Sequence, residues 1–566
     1  MAGVKYPMAG VSYLPQSAID HYAAEGVLTD ETLTDVFEAA CRRWPTRVAF
    51  SEPGVTMTYA KASVMTDRIA AALHRLGYKP LDRVLFQAAN SKELLLTFIG
   101  CLKAGVIPIC TLAAHRGNEI GQIGRQADAK GYIVAPSTGG FDLIEFARNM
   151  RSELPTLQHI LTIRDDGVEH EGTHSLDKLA LAEDPDEARA TVAEIRTTLD
   201  PYQVAIFQLS GGTSGTPKII PRFHNEYVNS ARCIVEYFGF DETLVSFTPN
   251  PMLHNMPMAC FSLPALIIGG EVAIAPRGDL ESMQHIIQER RPNWCAIVLV
   301  HIMRLIENGA IDEHTFKDAY GLICIDKSAE LSRMVNAPAY TLYGMTEGLL
   351  CHTRREDPPE AITRTVGRSV SPQDEIRLVE PGTQNDVGPG EVGELIIRGP
   401  STIRGYYNAP EHNAGAFTVD GYYRSGDLMR WHVIDGQRYV SFEGRVKDVV
   451  SRGGEKINCS EVELAMCEHP KVTSVMCVGM PDVAYGERMC AFVMLTRGAD
   501  TLSVGEIAKH LDGMGFAKFK FPERIEIVEG FPIASSGKPS KPMLRAIIAE
   551  KLQQEAALRE PVSNAA

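Results

Sequence analysis

The sequence lacks the features of several classes of protein. No apolar stretch reaches the roughly 18 residues of a membrane-spanning helix, and the N-terminus, MAGVKYPMAGVSYLPQ, has no apolar run of signal-peptide length. The twelve cysteines never form a Cys-x-x-Cys pair, which disfavours a zinc site and a disulfide framework. Basic residues are in deficit, with 56 Lys and Arg against 71 Asp and Glu and a net charge of −15. These absences predict a cytoplasmic protein with reduced thiols that binds neither nucleic acid nor a membrane.

What is present is the pattern of a large globular α/β protein. The 566 residues are 45% hydrophobic and 22% charged, which allows more than one domain. Apolar residues at helical spacing, as in SKELLLTFIGCLKAG, alternate with short apolar stretches such as DRVLFQA and WCAIVLV that we interpret as strands. The alternation predicts an α/β fold with largely parallel sheets. Turn-rich strand segments around residues 382–405 predict a small β subdomain.

The pattern changes again from Val446 onward. Two amphipathic helices, SEVELAMCEHP and SVGEIAKHLDGMG, lie there between short strands. We therefore predict a large N-terminal domain of α/β subdomains, residues 1–446, and a small C-terminal α+β domain, residues 447–566. The last residues, EPVSNAA, predict a frayed tail.

The stretch LSGGTSGTPK, residues 209–218, has the chemistry of a polyphosphate-binding loop. Its glycines allow backbone N–H groups to point into one concavity, its hydroxyls add donors, and its lysine adds a positive charge. Because it follows the apolar strand VAIFQL, we expect it at the carboxyl edge of a sheet. It is not a Walker P-loop, because Thr216 and Pro217 separate Lys218 from Gly215. The candidate phosphate-binding residues are Ser210, Gly211, Gly212, Thr213, Ser214, Gly215 and Lys218.

A second glycine stretch, GPGEVG at residues 388–393, matches the dinucleotide-binding pattern by letter only. The strand-like ELIIRG follows it, where that motif needs the N-terminus of a helix. We therefore predict a turn before a strand.

Further motifs follow the glycine loop in a fixed order. They are YGMTEG at 343–348, YRSGDL at 423–428, GRVKD at 444–448, RGGEKI at 452–457 and SSGKPSK at 535–541. Together with SGGTSGTPK they resemble the core motifs of the acyl-adenylate-forming superfamily, which includes acyl-CoA synthetases, peptide-synthetase adenylation domains and luciferases. The resemblance covers nearly the whole chain. It implies that a carboxylate attacks the α-phosphate of ATP, giving an acyl adenylate and pyrophosphate, and that a thiol then displaces AMP.

The resemblance also implies which residues bind ATP and Mg²⁺. The glycine loop is expected to hold the β- and γ-phosphates. Tyr343, beside Gly344, is expected to stack on the adenine, and Thr346 to bond a phosphate oxygen. Glu347 is expected to coordinate Mg²⁺, a hard cation that prefers carboxylate and phosphate oxygens. Asp427 is the expected acceptor for both ribose hydroxyls.

The remaining motifs imply a lysine that acts from a mobile C-terminal domain. Arg445 is expected near the ribose, and Lys538 at the α-phosphate and the attacking carboxylate, where its charge stabilises the transition state. Lys447 matches the hinge of the superfamily. Rotation there is expected to withdraw the catalytic lysine and to bring in Gly453 and Gly454, past which a pantetheine arm would run.

The stretch PMLHNMPMAC, residues 251–260, resembles the acid-binding segment of free-standing aryl-acid adenylating enzymes of siderophore synthesis. LAAHRGNEI and IPRFHNEY resemble the same subgroup. His254 is expected near the reacting carboxylate and Asn255 at an ortho hydroxyl of the acid. Cys260 and Leu350 match the residues that accompany salicylate rather than 2,3-dihydroxybenzoate, because leucine fills the space of a 3-hydroxyl. The expected acid-binding residues are His254, Asn255, Met256, Cys260, Gly344 and Leu350.

The sequence departs from this subgroup at two places. Met256 replaces an aromatic residue, so a more adaptable side chain would contact the ring of the acid. The Gly-Gly-Ala stretch that lines adenine and acid is not recognisable in GLICIDKSAELSRMVNAPAYTLYG, which is several residues short. Methionine and cysteine in the acid segment are equally compatible with ordinary core packing.

The bare residues also have ordinary structural explanations. Lys538 would be a surface lysine, Asp427 a helix N-cap and Glu347 part of a solvated turn, while His254 and Asn255 would lie in a capped loop. The leading hypothesis is a ligase that passes an aryl acid to coenzyme A or to an aryl carrier protein. The alternatives are a coenzyme A ligase for another carboxylic acid, a luciferase-like oxidoreductase and a silent nucleotide-binding regulator. A monomer and a homodimer are both compatible with the sequence.

Overall fold

The computed structural model describes residues 3–138, 140–210, 217–324, 327–452, 455–534 and 538–559. Over these residues the chain forms two large, mostly parallel sheets, a two-stranded antiparallel sheet at residues 137–142, and two smaller sheets in its C-terminal part. Helices connect many of the strands. The predicted α/β class, with a large N-terminal part and a small C-terminal part, is confirmed.

The strands of the described residues are short and numbered in chain order. The first are β1 Val48–Glu52, β2 Val55–Thr58, β3 Arg83–Gln87, β4 Ile107–Cys110, β5 Gly131–Val134, β6 Ser137–Thr138, β7 Phe141–Asp142, β8 His159–Thr162, β9 His174–Ser175, β10 Val204–Leu209, β11 Ile219–Phe223, β12 Val245–Phe247, β13 Glu271–Ala273 and β14 Trp294–Cys295. The others are β15 Gly321–Cys324, β16 Ala339–Gly344, β17 Leu350–His352, β18 Arg368–Ser369, β19 Glu375–Val379, β20 Val392–Arg398, β21 Tyr423–Ile434, β22 Gln437–Arg445, β23 Val449–Arg452, β24 Glu455–Asn458, β25 Val472–Asp482, β26 Gly486–Leu495 and β27 Arg524–Ile527.

The helices are numbered in the same way. They are α1 Gln16–Ala24, α2 Leu33–Arg43, α3 Tyr59–Arg75, α4 Lys92–Lys103, α5 Gly117–Gln126, α6 Leu143–Asn149, α7 Leu176–Ala182, α8 Pro185–Arg196, α9 His224–Phe238, α10 Asn255–Pro257, α11 Leu263–Ile267, α12 Leu280–Arg290, α13 Leu299–Glu307, α14 Ser328–Val335, α15 Pro359–Arg364, α16 Pro410–Ala416, α17 Cys459–Cys467, α18 Val504–Gly513 and α19 Lys541–Arg559. Short 3₁₀ turns span Met150–Glu153, Val446–Asp448 and Lys518–Lys520, and a π-helical turn spans Met258–Ser262.

One large sheet carries the candidate phosphate loop. Its order is β11-β10-β4-β3-β5-β8-β9, and every neighbouring pair is parallel except β10 and β11. Strands β3 and β10 are apolar and almost wholly buried, as expected for parallel strands with both faces covered. The helix that follows β3, α4, is capped at its N-terminus by Ser91, whose Oγ accepts from the backbone N–H of Leu94 at 3.1 Å.

The other large sheet carries the YGMTEG motif. Its order is β18-β17-β16-β15-β14-β12-β13-β1-β2, parallel from β16 to β1 and antiparallel at both ends. The strand predicted over WCAIVLV is wrong in extent: β14 covers only Trp294–Cys295, and α13 begins at Leu299. A short apolar run has no periodicity that separates a buried strand from a buried helix.

The shortened segment before YGMTEG still forms a strand, a helix and a strand. Strands β15 and β16 are paired in parallel, with Leu322 opposite Ala339, and α14 connects them. Asn336 ends this helix in a left-handed conformation, with φ of 48°. The departure from the Gly-Gly-Ala pattern therefore leaves the sheet order intact on the described residues.

The small sheets form the C-terminal third of the chain. Strands β19-β20-β21-β22 form an antiparallel sheet, and the GPGEVG stretch is a turn before β20, as predicted. The last sheet has the order β24-β23-β26-β25, with β27 parallel to β26. Besides the predicted helices α17 and α18, it packs against α19, which was not predicted, through Leu544 and Ile548. The tail EPVSNAA lies outside the described residues.

The predicted domain boundary between residues 446 and 447 falls in the 3₁₀ turn that joins the last two sheets. The division at that point stays a prediction. Across the described residues, no helix is both long and apolar enough to span a bilayer.

Candidate active site

The glycine loop connects the strands of a β-hairpin at the edge of its sheet. Its base is closed by the N–H of Ser210, which donates to the Lys218 carbonyl at 2.9 Å, and by the N–H of Lys218, which donates to Ser210 Oγ at 3.0 Å. The other predicted loop residues lie outside the described residues; they are Gly211, Gly212, Thr213, Ser214 and Gly215.

The Lys218 ammonium contacts Tyr406 and His412, which lie between β20 and β21. Its Nζ lies 2.6 Å from His412 Nε2 and 4.9 Å from the centroid of the Tyr406 ring. Burial lowers the pKa of Lys218, while the negative charge of Glu347 raises it. The structure thus brings Lys218 and Glu347 into one electrostatic environment.

A tight turn between β16 and β17 carries the next two predicted residues, Thr346 and Glu347. The N–H of Met345 donates to the Leu349 carbonyl at 3.0 Å, and the N–H of Gly348 donates to the Met345 carbonyl at 3.1 Å. Thr346 is buried, and its carbonyl accepts from the Arg222 guanidinium.

The Glu347 carboxylate is held by a phenol. The Tyr406 hydroxyl donates to Glu347 Oε1 at 2.8 Å and lies 2.9 Å from the Tyr423 hydroxyl. Burial raises the pKa of Glu347, and the hydrogen bond from Tyr406 opposes that shift. Glu347 therefore lies in a half-buried, hydrogen-bonded turn rather than in a solvated one.

Asp427 lies on strand β21, which excludes the helix N-cap explanation. The Tyr343 hydroxyl donates to Asp427 Oδ2 at 2.6 Å, and Arg445 Nε lies 3.1 Å from Asp427 Oδ1. Burial raises the pKa of Asp427, while Arg445 and Tyr343 lower it. The Tyr343 ring stacks on Phe442, with centroids 6.0 Å apart. Tyr343 of the YGMTEG motif and Arg445 of the GRVKD motif therefore contact the same carboxylate, that of Asp427 in YRSGDL.

The acid segment forms a short helix that continues into a π-helical turn. His254 is the N-cap of α10, and burial lowers its pKa to about 4, so its imidazole is neutral at physiological pH. Asn255 is buried, and its Oδ1 accepts from the Tyr227 hydroxyl at 2.5 Å. Cys260 lies in the π-helical turn and is fully buried, which raises the pKa of its thiol to about 12.

The remaining predicted acid-binding residues are placed around this segment. Met256 is half-buried against the main core, and Leu350 lies at the start of β17. A side-chain carbon added at Gly344 would meet Leu350 Cδ2 at 2.7 Å, so these two residues are close neighbours.

Lys538 reaches this site from the C-terminal sheet region. An isolated antiparallel β-bridge between Ile533 and Pro539 closes the loop that carries Lys538. Within this loop the N–H of Ala534 donates to the Lys538 carbonyl at 2.8 Å. Partial desolvation lowers the pKa of Lys538, Arg445 adds to this, and Asp427 opposes it. Its positive charge in turn helps to lower the pKa of His254. The positive charge of Lys538 therefore interacts with Asp427 and with His254 of the acid segment.

The predicted hinge residue lies where the β subdomain ends. Lys447 is exposed in the 3₁₀ turn, and its carbonyl accepts from Arg545 Nη2 at 2.6 Å. Gly453 and Gly454, the predicted pantetheine passage, lie outside the described residues.

Sequence reasoning missed the side chains that hold the predicted ones in place. They include Tyr406 at Glu347, Tyr227 at Asn255, and Arg222 at the Thr346 carbonyl. Arg222 and Glu226 form a buried ion pair. They are four residues apart, and this spacing in the sequence is the one signal that could have predicted their contact. Tyr406 gave no local signal. Tyr227 lies in IPRFHNEY, but that stretch does not reveal its contact with Asn255, which is 28 residues away.

The fold and the arrangement of these groups define an AMP-binding enzyme. The AMP-binding enzyme family model matches residues 37–407, and the AMP-binding enzyme C-terminal domain model matches residues 461–538. The chain belongs to this family, as predicted from its motifs.

Relatives within the family are similar over almost the whole chain. The 2,3-dihydroxybenzoate-AMP ligase of Bacillus subtilis is 34% identical over 552 residues, covering 96% of this chain and 99% of its own. The salicyl-AMP ligase / salicyl-S-ArCP synthetase of Mycobacterium tuberculosis is 34% identical over 554 residues, covering 96% of this chain and 94% of its own. Among solved structures, apo MbtA of Mycobacterium smegmatis superimposes with a TM-score of 0.70 at 31% identity, covering 95% of this chain and 99% of its own.

Proposed function

We propose that this protein activates an aryl carboxylic acid, with an ortho-hydroxybenzoate such as salicylate favoured, and transfers it to a pantetheine thiol. The acid attacks the α-phosphate of ATP, giving acyl-AMP and pyrophosphate. The thiolate then attacks the acyl carbon and AMP leaves. The names of the two relatives, a 2,3-dihydroxybenzoate-AMP ligase and a salicyl-AMP ligase, support this class of acid.

The observation that carries the proposal is the arrangement at Asp427, whose carboxylate accepts from Tyr343 at 2.6 Å and lies 3.1 Å from Arg445 Nε. The charge of Lys538 acts on Asp427 and on His254. The first step joins two anions, so positive charge between the acid and the nucleotide is its main requirement. Lys538 supplies that charge beside a neutral imidazole, and Asp427 lies on the nucleotide side of it. A lysine at this position stabilises charge as it moves from the carboxylate to the phosphate oxygens.

The residues around Glu347 suit ATP with Mg²⁺. Mg²⁺ is usually held by one or two carboxylates together with substrate phosphates, and Glu347 is a carboxylate kept close to Lys218 and the base of the glycine loop. When bound, Mg²⁺ supplies charge neutralisation on the leaving pyrophosphate. Glu347 would hold it, Lys218, Thr346 and the glycine loop would bind phosphate, and Asp427 with Arg445 would bind the ribose beside Tyr343.

The acid would lie against α10 and the π-helical turn. His254 and Gly344 would flank its carboxylate, Asn255 its ortho hydroxyl, and Met256, Cys260 and Leu350 its ring. The neutral Cys260 thiol is a weak hydrogen-bond partner, which suits a ring without a 3-hydroxyl.

The acceptor is a pantetheine thiol on an aryl carrier protein, with free coenzyme A as the competing acceptor. The name of the mycobacterial relative, which includes salicyl-S-ArCP synthetase, supports the carrier protein. Rotation about Lys447, between domains 1–446 and 447–566, would exchange Lys538 for the face that carries Gly453 and Gly454. The names of the relatives favour neither another class of acid nor a luciferase-like oxidation.

The proposed function is tested by acid-dependent exchange of labelled pyrophosphate into ATP. We expect exchange with salicylate to exceed that with 2,3-dihydroxybenzoate, and both to exceed aliphatic and bulky cyclic acids. Salicylate and ATP are then offered with coenzyme A or with an aryl carrier protein, and thioester formation is measured. Absence of exchange across benzoates, aliphatic acids and cyclic acids would refute an acid ligase.

A further inference from the structure

Tyr227 is a fully buried tyrosine on α9 whose hydroxyl reaches the acid segment. Its exposed fraction is 1%, and its hydroxyl donates to Asn255 Oδ1 at 2.5 Å. Asn255 is itself buried, so a hydrogen bond to its Oδ1 holds the orientation of the amide. A side-chain amide whose oxygen is occupied presents its two N–H donors on the opposite side.

Tyr227 is held from behind by a polar network that reaches the nucleotide side of the site. The Arg222 guanidinium lies over the Tyr227 ring, 4.7 Å from its centroid, and also donates to Glu226 and to the Thr346 carbonyl. Since the ring is fixed by a buried cation and by core packing, the hydroxyl has little freedom to turn from Asn255.

The direction of the Tyr227 hydrogen bond follows from the chemistry of its partner. The oxygen of a side-chain amide carries no proton and can only accept. The phenol therefore gives its own proton to Asn255 Oδ1.

We propose that Tyr227 is a positioning residue that fixes the Asn255 amide with its Nδ2–H groups facing the acid, so that the site selects an acid with a hydrogen-bond acceptor at its ortho position. This inference rests on the proposed function. It goes beyond it by assigning a role to Tyr227, the last residue of IPRFHNEY, and a direction to the hydrogen bond. An ortho donor is rejected because two donors would face each other in a buried site.

The direction of this hydrogen bond distinguishes acids of nearly equal size. In salicylate the hydroxyl proton bonds to the carboxylate of the same molecule, which leaves lone pairs on the hydroxyl oxygen to accept from Asn255. In 2-aminobenzoate the nitrogen lone pair is delocalised into the ring, and an N–H points outward. Benzoate offers neither group. The expected order of kcat/KM is therefore salicylate, then benzoate, then 2-aminobenzoate.

The test measures pyrophosphate exchange with these three acids in the full-length wild type and in Tyr227→Phe. We expect the salicylate to benzoate ratio of kcat/KM to fall about tenfold in the variant, since one hydrogen bond of ordinary strength is lost. The value for benzoate alone should stay within about twofold of the wild type, because benzoate does not use Asn255. A merely structural tyrosine would lower all three acids together.

Tyr59→Phe is the matched control. The Tyr59 hydroxyl is also fully buried and donates to a backbone carbonyl, that of Gly270 at 2.7 Å, rather than to a side chain of the acid segment. Its loss should leave the ratio unchanged. If Tyr227→Phe does not fold, Asn255→Asp replaces it: a carboxylate cannot donate, so 2-aminobenzoate should overtake salicylate.

The inference is overturned if the wild type prefers 2-aminobenzoate to salicylate, or if the ratio is the same in Tyr227→Phe and the wild type. Absence of exchange with every acid would be a different result. It would overturn the proposed function, and the inference with it.

Discussion

Two carboxylates of the candidate site, the half-buried Glu347 and the buried Asp427, each accept a hydrogen bond from a tyrosine. Burial without such a donor would favour the protonated acid, because a carboxylate loses its hydration when it is buried. Tyr406 and Tyr343 oppose that effect at 2.8 and 2.6 Å. Both hydrogen bonds thereby favour the ionised carboxylate, the form that the proposed binding of a cation or of ribose hydroxyls requires.

Replacing Tyr406 with phenylalanine tests the first of these pairs. Loss of the donor should raise the pKa of Glu347 further, because the hydrogen bond from Tyr406 lowers that pKa against the effect of burial. The Mg²⁺ concentration that half-saturates pyrophosphate exchange should rise by about 10- to 100-fold, the usual effect of losing a group that orients a metal ligand. Since only the ionised carboxylate binds Mg²⁺, activity should also be lost at a higher pH on the acid side of its profile.

Tyr422→Phe is the control for this measurement. The Tyr422 hydroxyl donates to Glu375 Oε2 at 2.7 Å in the same β subdomain, away from Glu347. Its Mg²⁺ dependence and acid limb should match those of the wild type. An unchanged Mg²⁺ dependence in Tyr406→Phe would show that the phenol does not support the metal ligand.

At the level of elements, the turn between β16 and β17 sets the position of Thr346 and Glu347. Gly348 in this turn has φ of +132°, and a side-chain carbon there would lie 2.1 Å from the Ser401 carbonyl oxygen. Only glycine fits both the backbone conformation and the close approach. The turn is thereby held against residues 401–402, to which Arg222 also donates.

Gly348→Ala should therefore destabilise the protein and displace Glu347. We expect a left-handed strain of about 1 to 3 kcal/mol and a further cost of about 1 to 3 kcal/mol for the clash with Ser401. Chemical denaturation measures the free energy of unfolding, and pyrophosphate exchange measures the site under conditions where the variant is folded. The comparison is Gly382→Ala, at φ of +79° with no atom within 4 Å of an added carbon, which should carry only the strain. Equal destabilisation of both variants would contradict the close approach at Ser401.

The π-helical turn Met258–Ser262 is a second element that local sequence did not reveal. It follows Pro257 and carries Cys260, whose carbonyl accepts from Trp294 Nε1 at 3.0 Å. Single π-helical turns inside helices are rare and often occur at functional sites. Here the turn lies within the segment proposed to bind the ring of the acid.

For the molecule as a whole, the proposal assigns its two reactions to two domain arrangements. In this structure the positive charge of Lys538 interacts with His254 and with Asp427, an arrangement that suits acyl-adenylate formation. Thioester formation needs no charge between an acid and ATP, so Lys538 should matter to the first step alone.

Lys538→Ala should lower the rate of pyrophosphate exchange by about 100- to 1,000-fold, the usual cost of one donor to transition-state charge. Thioester formation from a supplied acyl adenylate should stay within about threefold of the wild type. Lys551→Ala is the control, because Lys551 lies on the surface of the same domain, 2.5 Å from Glu526. Equal loss of both reactions in Lys538→Ala would refute the division between domain arrangements.

The sequence by itself determined the α/β class, the family and the class of reaction. The motifs are short runs of adjacent residues, and the alternation of helices and strands depends on apolar periodicity within single elements, so both can be read locally. The membership predicted from the motifs is confirmed by the family matches at 37–407 and 461–538. The roles of the individual site residues remain proposals.

Tertiary structure alone decided how the candidate residues are held. Tyr406 reaches Glu347 across 59 residues, Tyr227 reaches Asn255 across 28, and α19 packs on the last sheet after a loop that carries Lys538. Such contacts depend on how whole elements pack, and a periodic pattern gives the inward face of an element but not its partner. The prediction of a strand over all of WCAIVLV was wrong for the same reason. Its apolar residues indicate burial, but they do not indicate that only Trp294 and Cys295 pair with β12 and β15.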